Sequence, residues 1–392
     1  MTRIKKLGKL LMCISFLAIV FSIGKETIIR SQYDLRTMAD QGKFGSESFN
    51  TSSIDTILKE HLYGKNLLIS LNGITQKMMS RRLVGNEQFY RASDDIMHMV
   101  YFQKAHDKII EDTIWLATEL KKNATPFLIC QIAERAAYGD TFSRMIDGGS
   151  LDYIEPLKSA AQSEGALYLD LSTCLAEGGF ASKDIFFRTD IHYKTQTEFY
   201  VLQRIVEFLE KQTKLRFMDR DKVLMPDSYR VESYPFLGNL ANLSVGEYYV
   251  GEDDFVYYLP KFDTSLHLEN PAGTVVRSGD FENVCMNGYR DLYGNDKRVY
   301  RVTDYLQWPS PYYRITNDLV QENDVLVIGC SMSMRTMAYL PLMCKSVTVL
   351  DPRYFGEMDM LGQALGSNYD AVIVFPSSNL LDSGFRGWNV QR

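Results

Sequence analysis

Apolar positions along this chain follow two rhythms, and the change from one to the other sets out its elements. From Asp94 to Lys122 they recur at helical intervals, with Ile110, Ile114, Ala117 and Leu120 on one face. Thr195 to Lys211 repeats the pattern through Leu202, Ile205, Val206 and Leu209, and Thr195 and Glu198 have the spacing of a capping box at its start. Pro126–Gln131 and Gly165–Leu171 are short, mostly apolar runs and read as buried strands. The C-terminal part is the most regular. Asp324–Gly329, Ser346–Leu350 and Asp370–Phe375 read as strands, separated by a helical stretch to about Met343 and a short helix over Glu357–Leu365. Strand–helix–strand–helix–strand with short connections predicts a parallel sheet with right-handed crossovers, an α/β fold.

Three segments break this pattern. Arg3, Lys5, Lys6 and Lys9 precede an apolar run from Leu10 to Gly24. That layout fits a secretory signal and is short for a full membrane span. An uncleaved anchor, a cleaved signal and a buried helix are the three readings of residues 1–24, and the first two put the bulk of the chain outside the cytoplasm. Residues 25–60 are polar and rich in Ser and Thr, and read as a tether. Residues 221–320 gain Gly, Asn and aromatics while helical periodicity fades, so they read as an irregular, partly β insertion or subdomain between 61–220 and 321–392. Within it Tyr248, Tyr249, Phe255, Tyr257 and Tyr258 cluster around Glu252, Asp253 and Asp254. Such aromatics suit either sugar stacking or a packed β subdomain.

Composition narrows the class. At 392 residues, 45% hydrophobic and 23% charged, the chain is a folded globular protein with a sizeable core. A net charge of −6 shows no basic excess of the kind nucleic-acid partners require. A mean hydropathy of −0.18 excludes a polytopic membrane protein. Cys13, Cys130, Cys174, Cys285, Cys330 and Cys344 are widely spaced with no CxxC, which predicts buried free thiols rather than a zinc site or a disulfide framework.

Ligands of open parallel sheets lie beyond the carboxyl ends of the strands. Here those ends read Gly329-Cys330-Ser331, Asp351-Pro352-Arg353-Tyr354 and Pro376-Ser377-Ser378-Asn379. Ser331 falls where a strand turns into a helix, a place that exposes a hydroxyl beside free backbone N–H groups. It reads either as a nucleophile or as a helix N-cap. Gly329-Cys-Ser-Met-Ser333 is not a G-x-S-x-G elbow. A serine nucleophile needs a base, and of His61, His98, His106, His192 and His267 it is His192 that stands apart. His98 and His106 fall in the helical pattern, His61 by the tether and His267 in the insertion. Asp190 precedes His192 by two residues, a spacing that puts both side chains on one side of an extended segment and lets the carboxylate fix the imidazole tautomer. The other reading is a loop Asp and His that make only turn bonds.

Taken together, the segments resemble a family. Phe187-Arg-Thr-Asp-Ile-His-Tyr-Lys-Thr195 is similar to the Asp-x-His-Trp segment of the alginate O-acetyltransferases and their Asp-His-His-Trp relatives, SGNH-hydrolase-like proteins in which the Asp/His segment precedes the serine. Leu326-Val-Ile-Gly-Cys-Ser331 and Val347-Thr-Val-Leu-Asp-Pro-Arg-Tyr354 resemble the serine segment and the strand after it. The likeness runs over roughly residues 60–390 and is strongest at 185–210 and 324–380. It implies Ser331 as nucleophile, His192 as base and Asp190 as its orienting partner, with Asn379 in the oxyanion hole and Arg353 and Tyr354 lining the pocket. Two positions depart from the family. Cys330 stands where Asp is usual before the serine, and Tyr193 where Trp is usual. Buried structural Cys330 and a nucleophilic Cys330 are the two readings of the first.

The expectation is therefore an SGNH-hydrolase-like parallel sheet flanked by helices, anchored or exported. It would transfer acyl groups, acetyl foremost, in the modification of a cell-surface or exported polysaccharide. No metal or other cofactor is implied. The resemblance also implies a membrane-bound O-acyltransferase as acyl supplier. An acetylesterase of the same fold, or a glycan-binding protein with a degenerate site, are the alternatives.

Overall fold

The computed structural model describes residues 20–32, 34, 36, 57–59, 61–100, 106–145, 149–306, 310–355, 360–381 and 384–385. They fall into two compact units, Met1–Thr75 and Gln76–Arg392. In the first, residues 20–32 are helical, although 25–60 read as a tether. The apolar run from Leu10 lies mostly outside the described residues, as does Cys13. Among the described residues no helix is long and apolar enough to cross a membrane. Helix α1 (Lys65–Met78) closes this part of the chain. The amide of Tyr63 donates to Thr27 Oγ1 at 3.0 Å, and His61 Nε2 lies 2.7 Å from Asp34 Oδ2.

The second unit opens with a small antiparallel sheet, β1 (Leu83–Val84), β2 (Phe89–Arg91) and β3 (Met97–Met99). The helical rhythm read from Asp94 thus starts late. Asp95 sits at φ 63°, and the Ile96 amide bonds back to the Asp94 carboxylate at 3.2 Å, a turn that no helix continues through. Helix α2 begins at Asp107 (Asp107–Lys122). His98 is accordingly a buried strand residue. Next come β4 (Phe127–Gln131), α3 (Ile154–Ser163), β5 (Leu167–Asp170) and α4 (Thr195–Gln212). Leu202, Ile205, Val206 and Leu209 of α4 are all buried, as their spacing requires.

Residues 221–320 divide. β6 (Tyr229–Phe236) and β7 (Asp253–Pro260) pair with each other, whereas β8 (Leu266–Glu269), β9 (Val275–Gly279) and β10 (Tyr312–Asn317) join the main sheet. β11 (Asp324–Ile328), α5 (Met334–Tyr339), β12 (Ser346–Leu350) and β13 (Ala371–Val374) complete the chain. The sheet order is β5-β4-β13-β11-β12-β10-β8-β9. β5 to β12 are parallel, and β10, β8 and β9 extend the sheet antiparallel. β12 and β13 are buried at every position, which is why the sequence shows them as unbroken apolar runs. α2 packs on α3, and α4 packs on α5. The chain runs from β11 to one neighbour, β12, and returns past it to the other, β13, so the crossovers diverge at the turn after β11.

The insertion aromatics are mostly core. Tyr249, Phe255 and Tyr257 are fully buried, and Tyr257 stacks on Tyr305 at 5.9 Å, while Tyr248 alone of the cluster is well exposed. Packing rather than sugar stacking accounts for them. The five described cysteines are free and buried.

Candidate active site

The loop that carries Asp190 and His192 is held from three sides. Asp253 of β7 takes the amides of Arg188 and Thr189 at 2.9 and 2.8 Å and the Thr189 hydroxyl at 2.6 Å. Arg135, just past β4, donates to the carbonyls of Asp190 and Arg188. Gly238 lies against the loop so closely that a Cβ there would fall 2.3 Å from Asp190 Cβ and 2.5 Å from Thr189 O, which only glycine permits. The amides of Asn239 and His192 then donate to the Asp190 carboxylate at 3.0 and 3.1 Å.

His192 Nδ1 is hydrogen-bonded to Asp190 Oδ1. The pair makes both the turn bonds and the imidazole–carboxylate contact read as alternatives from the sequence. Burial by itself would raise the Asp190 pKa, but the His192 imidazole and the two amides outweigh it and hold the carboxyl below its ordinary value. With Nδ1 committed to the carboxylate, Nε2 is the free nitrogen. It is buried and has no hydrogen-bond partner among the described residues. The Tyr300 hydroxyl lies 3.4 Å from Nδ1 and its ring meets the imidazole at 62°, so an insertion residue borders the pair.

Ser331 opens the short 3-10 turn Ser331–Ser333 after β11 and is about nine-tenths buried. The residue that precedes the turn is Cys330, and Ser331 caps neither this turn nor α5. Its hydroxyl forms no hydrogen bond with a described residue. Gly329 lets Ser333 Oγ approach to where a Cβ would be 2.7 Å away, so the turn is tight.

The two segments are tied together by a charge inside the protein. Arg335, four residues after Ser331, is fully buried and donates to the carbonyl of Tyr193, the residue after His192. It also pairs with Glu198 at 2.6 Å, and the Thr336 amide bonds the other Glu198 oxygen at 2.9 Å. This overturns the capping box, because the Glu198 side chain is drawn across to α5, and the residue preceding the helix is Lys194 with no side-chain cap. Burial pushes the Glu198 carboxyl up, against the pull of Arg335.

Other strand ends meet the same edge. Glu134, after β4, accepts from the amide of Ser378 at 2.6 Å and its hydroxyl at 3.1 Å, which fixes the loop after β13. Asn379 belongs to the turn Ser378–Leu380, and its side chain lies outside the described residues. Arg353 is bonded to Asp351 through Nε at 3.0 Å and Nη2 at 2.9 Å, and its guanidinium faces the ring of the partly exposed Tyr354 at 5.5 Å. Cys330 is fully buried with Sγ 3.3 Å from Ser377 Oγ, and burial pushes its thiol up. Burial and the contact with Ser377 favour the structural reading of Cys330.

Arg135, Asp253, Glu134, Glu198, Arg335 and Tyr300 carried no signal of these roles in the sequence. Glu198 looked like a cap and Asp253 like one of three acidic residues among the insertion's aromatics; a charged residue inside an apolar helical stripe, as at Glu198, is the one mark that points to a buried pair.

A second Ser–His–Asp array lies elsewhere. His267 on β8 has Nδ1 2.8 Å from Ser278 Oγ on β9 and Nε2 2.9 Å from Asp318 Oδ2, and Ser265 also bonds Asp318 at 2.7 Å. It is open to solvent. A groove of about 1080 Å³ lies at the amino ends of β4, β11 and β13, lined there by Thr125, Pro126, Asp324 and Asp370, away from the serine and histidine segments.

The α/β fold, a mostly parallel sheet flanked by helices, is shared with SGNH-like solved structures, a DHHW family protein among them, over about three quarters of the chain. The chain is similar to Bacillus cereus PatB1, with a TM-score of 0.58 and 17% identity over 74% of this chain and 95% of that one. PatB1 with a sulfonyl adduct superposes equally, with a TM-score of 0.57 and 17% identity over 75% and 94% of the two chains. A DHHW family protein from Eubacterium siraeum follows with a TM-score of 0.52 and 12% identity, over 73% of this chain and 88% of that one. No family model and no curated protein matches the sequence.

Proposed function

We propose that this protein is a serine acyltransferase that moves acetyl groups to hydroxyls of an exported or cell-surface polysaccharide. Ser331 is the nucleophile, His192 the base and Asp190 the group that orients and charges it. The observation that carries this reading is the state of His192, with Nδ1 bonded to a buried carboxylate and Nε2 left unpartnered inside the protein. Other buried polar atoms lack a partner too, His98 Nε2 among them, but at His192 the opposite ring nitrogen holds a buried carboxylate, so the bare nitrogen is the one set to make a further bond. Ser331, with a free hydroxyl on a segment tied to Tyr193 through Arg335, is the group that supplies it.

In the first half-reaction Ser331 Oγ attacks the carbonyl carbon of an acyl donor while His192 Nε2 takes its proton. The imidazolium returns that proton to the leaving group, and the acyl group stays on Ser331 as an ester. In the second half a sugar hydroxyl attacks the ester, its proton goes to Nε2, and Ser331 is released with the proton restored. Asp190, already ionised, stabilises the imidazolium in each half. The motif resemblance supports acetyl as the acyl group, a membrane-bound O-acyltransferase as its supplier and a place outside the cytoplasm with the N-terminal segment at the membrane.

The chain is tested by incubation with an activated acetyl ester, with and without an acceptor oligosaccharide. Acetylated oligosaccharide is the expected product. Acetate released at the same rate with or without acceptor would make it an esterase, and no reaction would leave a glycan-binding protein. Because PatB1 takes a sulfonyl adduct, a sulfonyl fluoride should modify Ser331, and mapping the adduct to any other residue would end the nucleophile assignment.

A further inference from the structure

The first unit is built inside out. Its buried residues include Thr27, Ser31, Ser70 and Gly73, while Val20, Phe21, Ile28, Ile29, Leu67, Leu68, Leu71 and Ile74 face outward. Helices of a water-soluble domain do the reverse. At about 100° per residue, Leu67, Leu71 and Ile74, with Met78 beyond them, fall in a sector about 60° wide. Leu67 is 63% exposed and Leu71 49% exposed. Small and polar residues buried with apolar ones facing outward is the arrangement of helices found in lipid.

Charge points the same way. Between His61 and Asn86 the chain carries Lys65, Lys77, Arg81 and Arg82, the last 3.7 Å from Asp140, and no acidic residue, in a protein whose net charge is −6. With 14 residues, α1 is about 21 Å long, too short to cross a hydrocarbon core of about 30 Å. A short basic helix with one apolar face lies in the plane of an anionic interface.

We infer that α1 docks on an anionic lipid bilayer, with Leu67, Leu71 and Ile74 entering the acyl region. This is independent of the acyl-transfer reading. It also differs from anchoring by residues 1–24, because it gives α1 its own contact with lipid. A second copy of the chain seated on the same face is the competing occupant.

The test uses the full chain carrying Leu71→Trp, bound to vesicles of phosphatidylcholine and phosphatidylglycerol at 3:1, with plain or brominated acyl chains. The emission added by the new tryptophan, over the three native ones, should fall at least twofold in brominated vesicles. In pure phosphatidylcholine that loss should be smaller. Added emission that ignores bromination, or that shifts with protein concentration instead of lipid, would overturn the proposal, and equal quenching in neutral vesicles would remove its anionic part. Leu67→Trp repeats the measurement should Leu71→Trp fail to fold.

Discussion

Two sets of Ser, His and Asp residues occur in this chain, and the set proposed as the active site is the less connected of the two. At the β8–β9 edge, His267 has both nitrogens satisfied, one by Ser278 and one by Asp318, and Asp318 is more than half exposed. At the carboxyl ends of the parallel strands, Asp190 and His192 are buried, Nε2 is unpartnered and the Ser331 hydroxyl is free. Hydrogen bonds drawn between the right residue types therefore do not define a site. Water around His267 screens its charges, supplies alternative partners and competes with any acceptor. The buried set leaves His192 Nε2 without a partner among the described residues, as the proposed acyl transfer requires. Asp318 also has a depressed pKa, from Ser265 first and His267 second, so a shifted carboxylate does not separate the two groupings. Burial and the unused nitrogen do.

The largest effect expected from this contrast is on turnover. Ser331→Ala or His192→Ala should lower acetyl transfer by about three orders of magnitude or more, with the double variant adding little, because members of one unit are not additive. Ser278→Ala and His267→Ala should stay within about twofold of the parent. A reversal of these results in a steady-state assay would move the site to the β8–β9 edge. Asp190→Asn should cost about 10²- to 10⁴-fold by presenting the wrong tautomer, against no change for Asp318→Asn. The depressed Asp190 pKa has a stability consequence with a definite sign. Its ionised form is favoured by folding, so that stabilisation is present above the ordinary carboxylate value and is lost as pH falls through the lower folded value. Asp190→Asn should therefore flatten the acid limb of a denaturation profile.

Next in size is the support of the loop. Asp253→Ala removes the acceptor of three bonds and leaves the Arg188 and Thr189 amides without it. A loss of about 3 kcal/mol in a urea titration is expected, with turnover falling in the folded fraction. The parallel change Asp318→Ala, at an exposed carboxylate, should be nearly silent in the same titration. His98 gives a pH test beside the loop. Burial and the nearby Arg135 charge push its pKa down to about 3. The unfolded chain binds that proton near pH 6.5, so stability is full above that value and declines as pH falls towards 3. His98→Gln should spare the protein about 2 kcal/mol of the loss seen between pH 7 and 5. An unchanged pH slope would contradict the buried neutral histidine.

How much of this was legible in the sequence follows from what each residue contacts. Asp190 and His192 are close in sequence, and Ser331 follows an unbroken apolar strand, so local spacing was enough to single them out. The strands buried on both faces showed as apolar runs for the same reason. Arg335 and Glu198 are joined across 137 positions, and Asp253 reaches Thr189 across 64. Pairings at such separations leave no periodicity, and the sequence suggested only local settings: a cap at Glu198, an acidic cluster among aromatics at Asp253. β8 and β10 alternate buried and half-buried positions but are only four and six residues long, and the edge strand β9 faces largely outward. Their Gly and Asn content looked like an irregular insertion, although their hydrogen bonds continue the main sheet.

The smallest expected effect sharpens the comparison at a single atom. Cys330 is next to Ser331 in sequence yet differs from it as His267 differs from His192. Its side chain is fully buried and already bonded, at 3.3 Å to the Ser377 hydroxyl, with burial keeping the thiol protonated. Ser331 is free. Cys330→Ser keeps the size and can donate to or accept from Ser377, so it should cost less than about 1 kcal/mol and leave turnover within about twofold. Cys330→Asp places a carboxylate in a buried turn, but one near the positive Arg353, whose charge acts on position 330. That neighbour offsets part of the burial cost, so the variant should fold and keep its activity. Loss of folding in Cys330→Asp would show that Arg353, committed to Asp351 through two nitrogens, has nothing to spare for a second carboxylate, and the triad would stand. Only Cys330→Ser abolishing sulfonyl labelling while Ser331→Ala retained it would transfer the nucleophile to the cysteine.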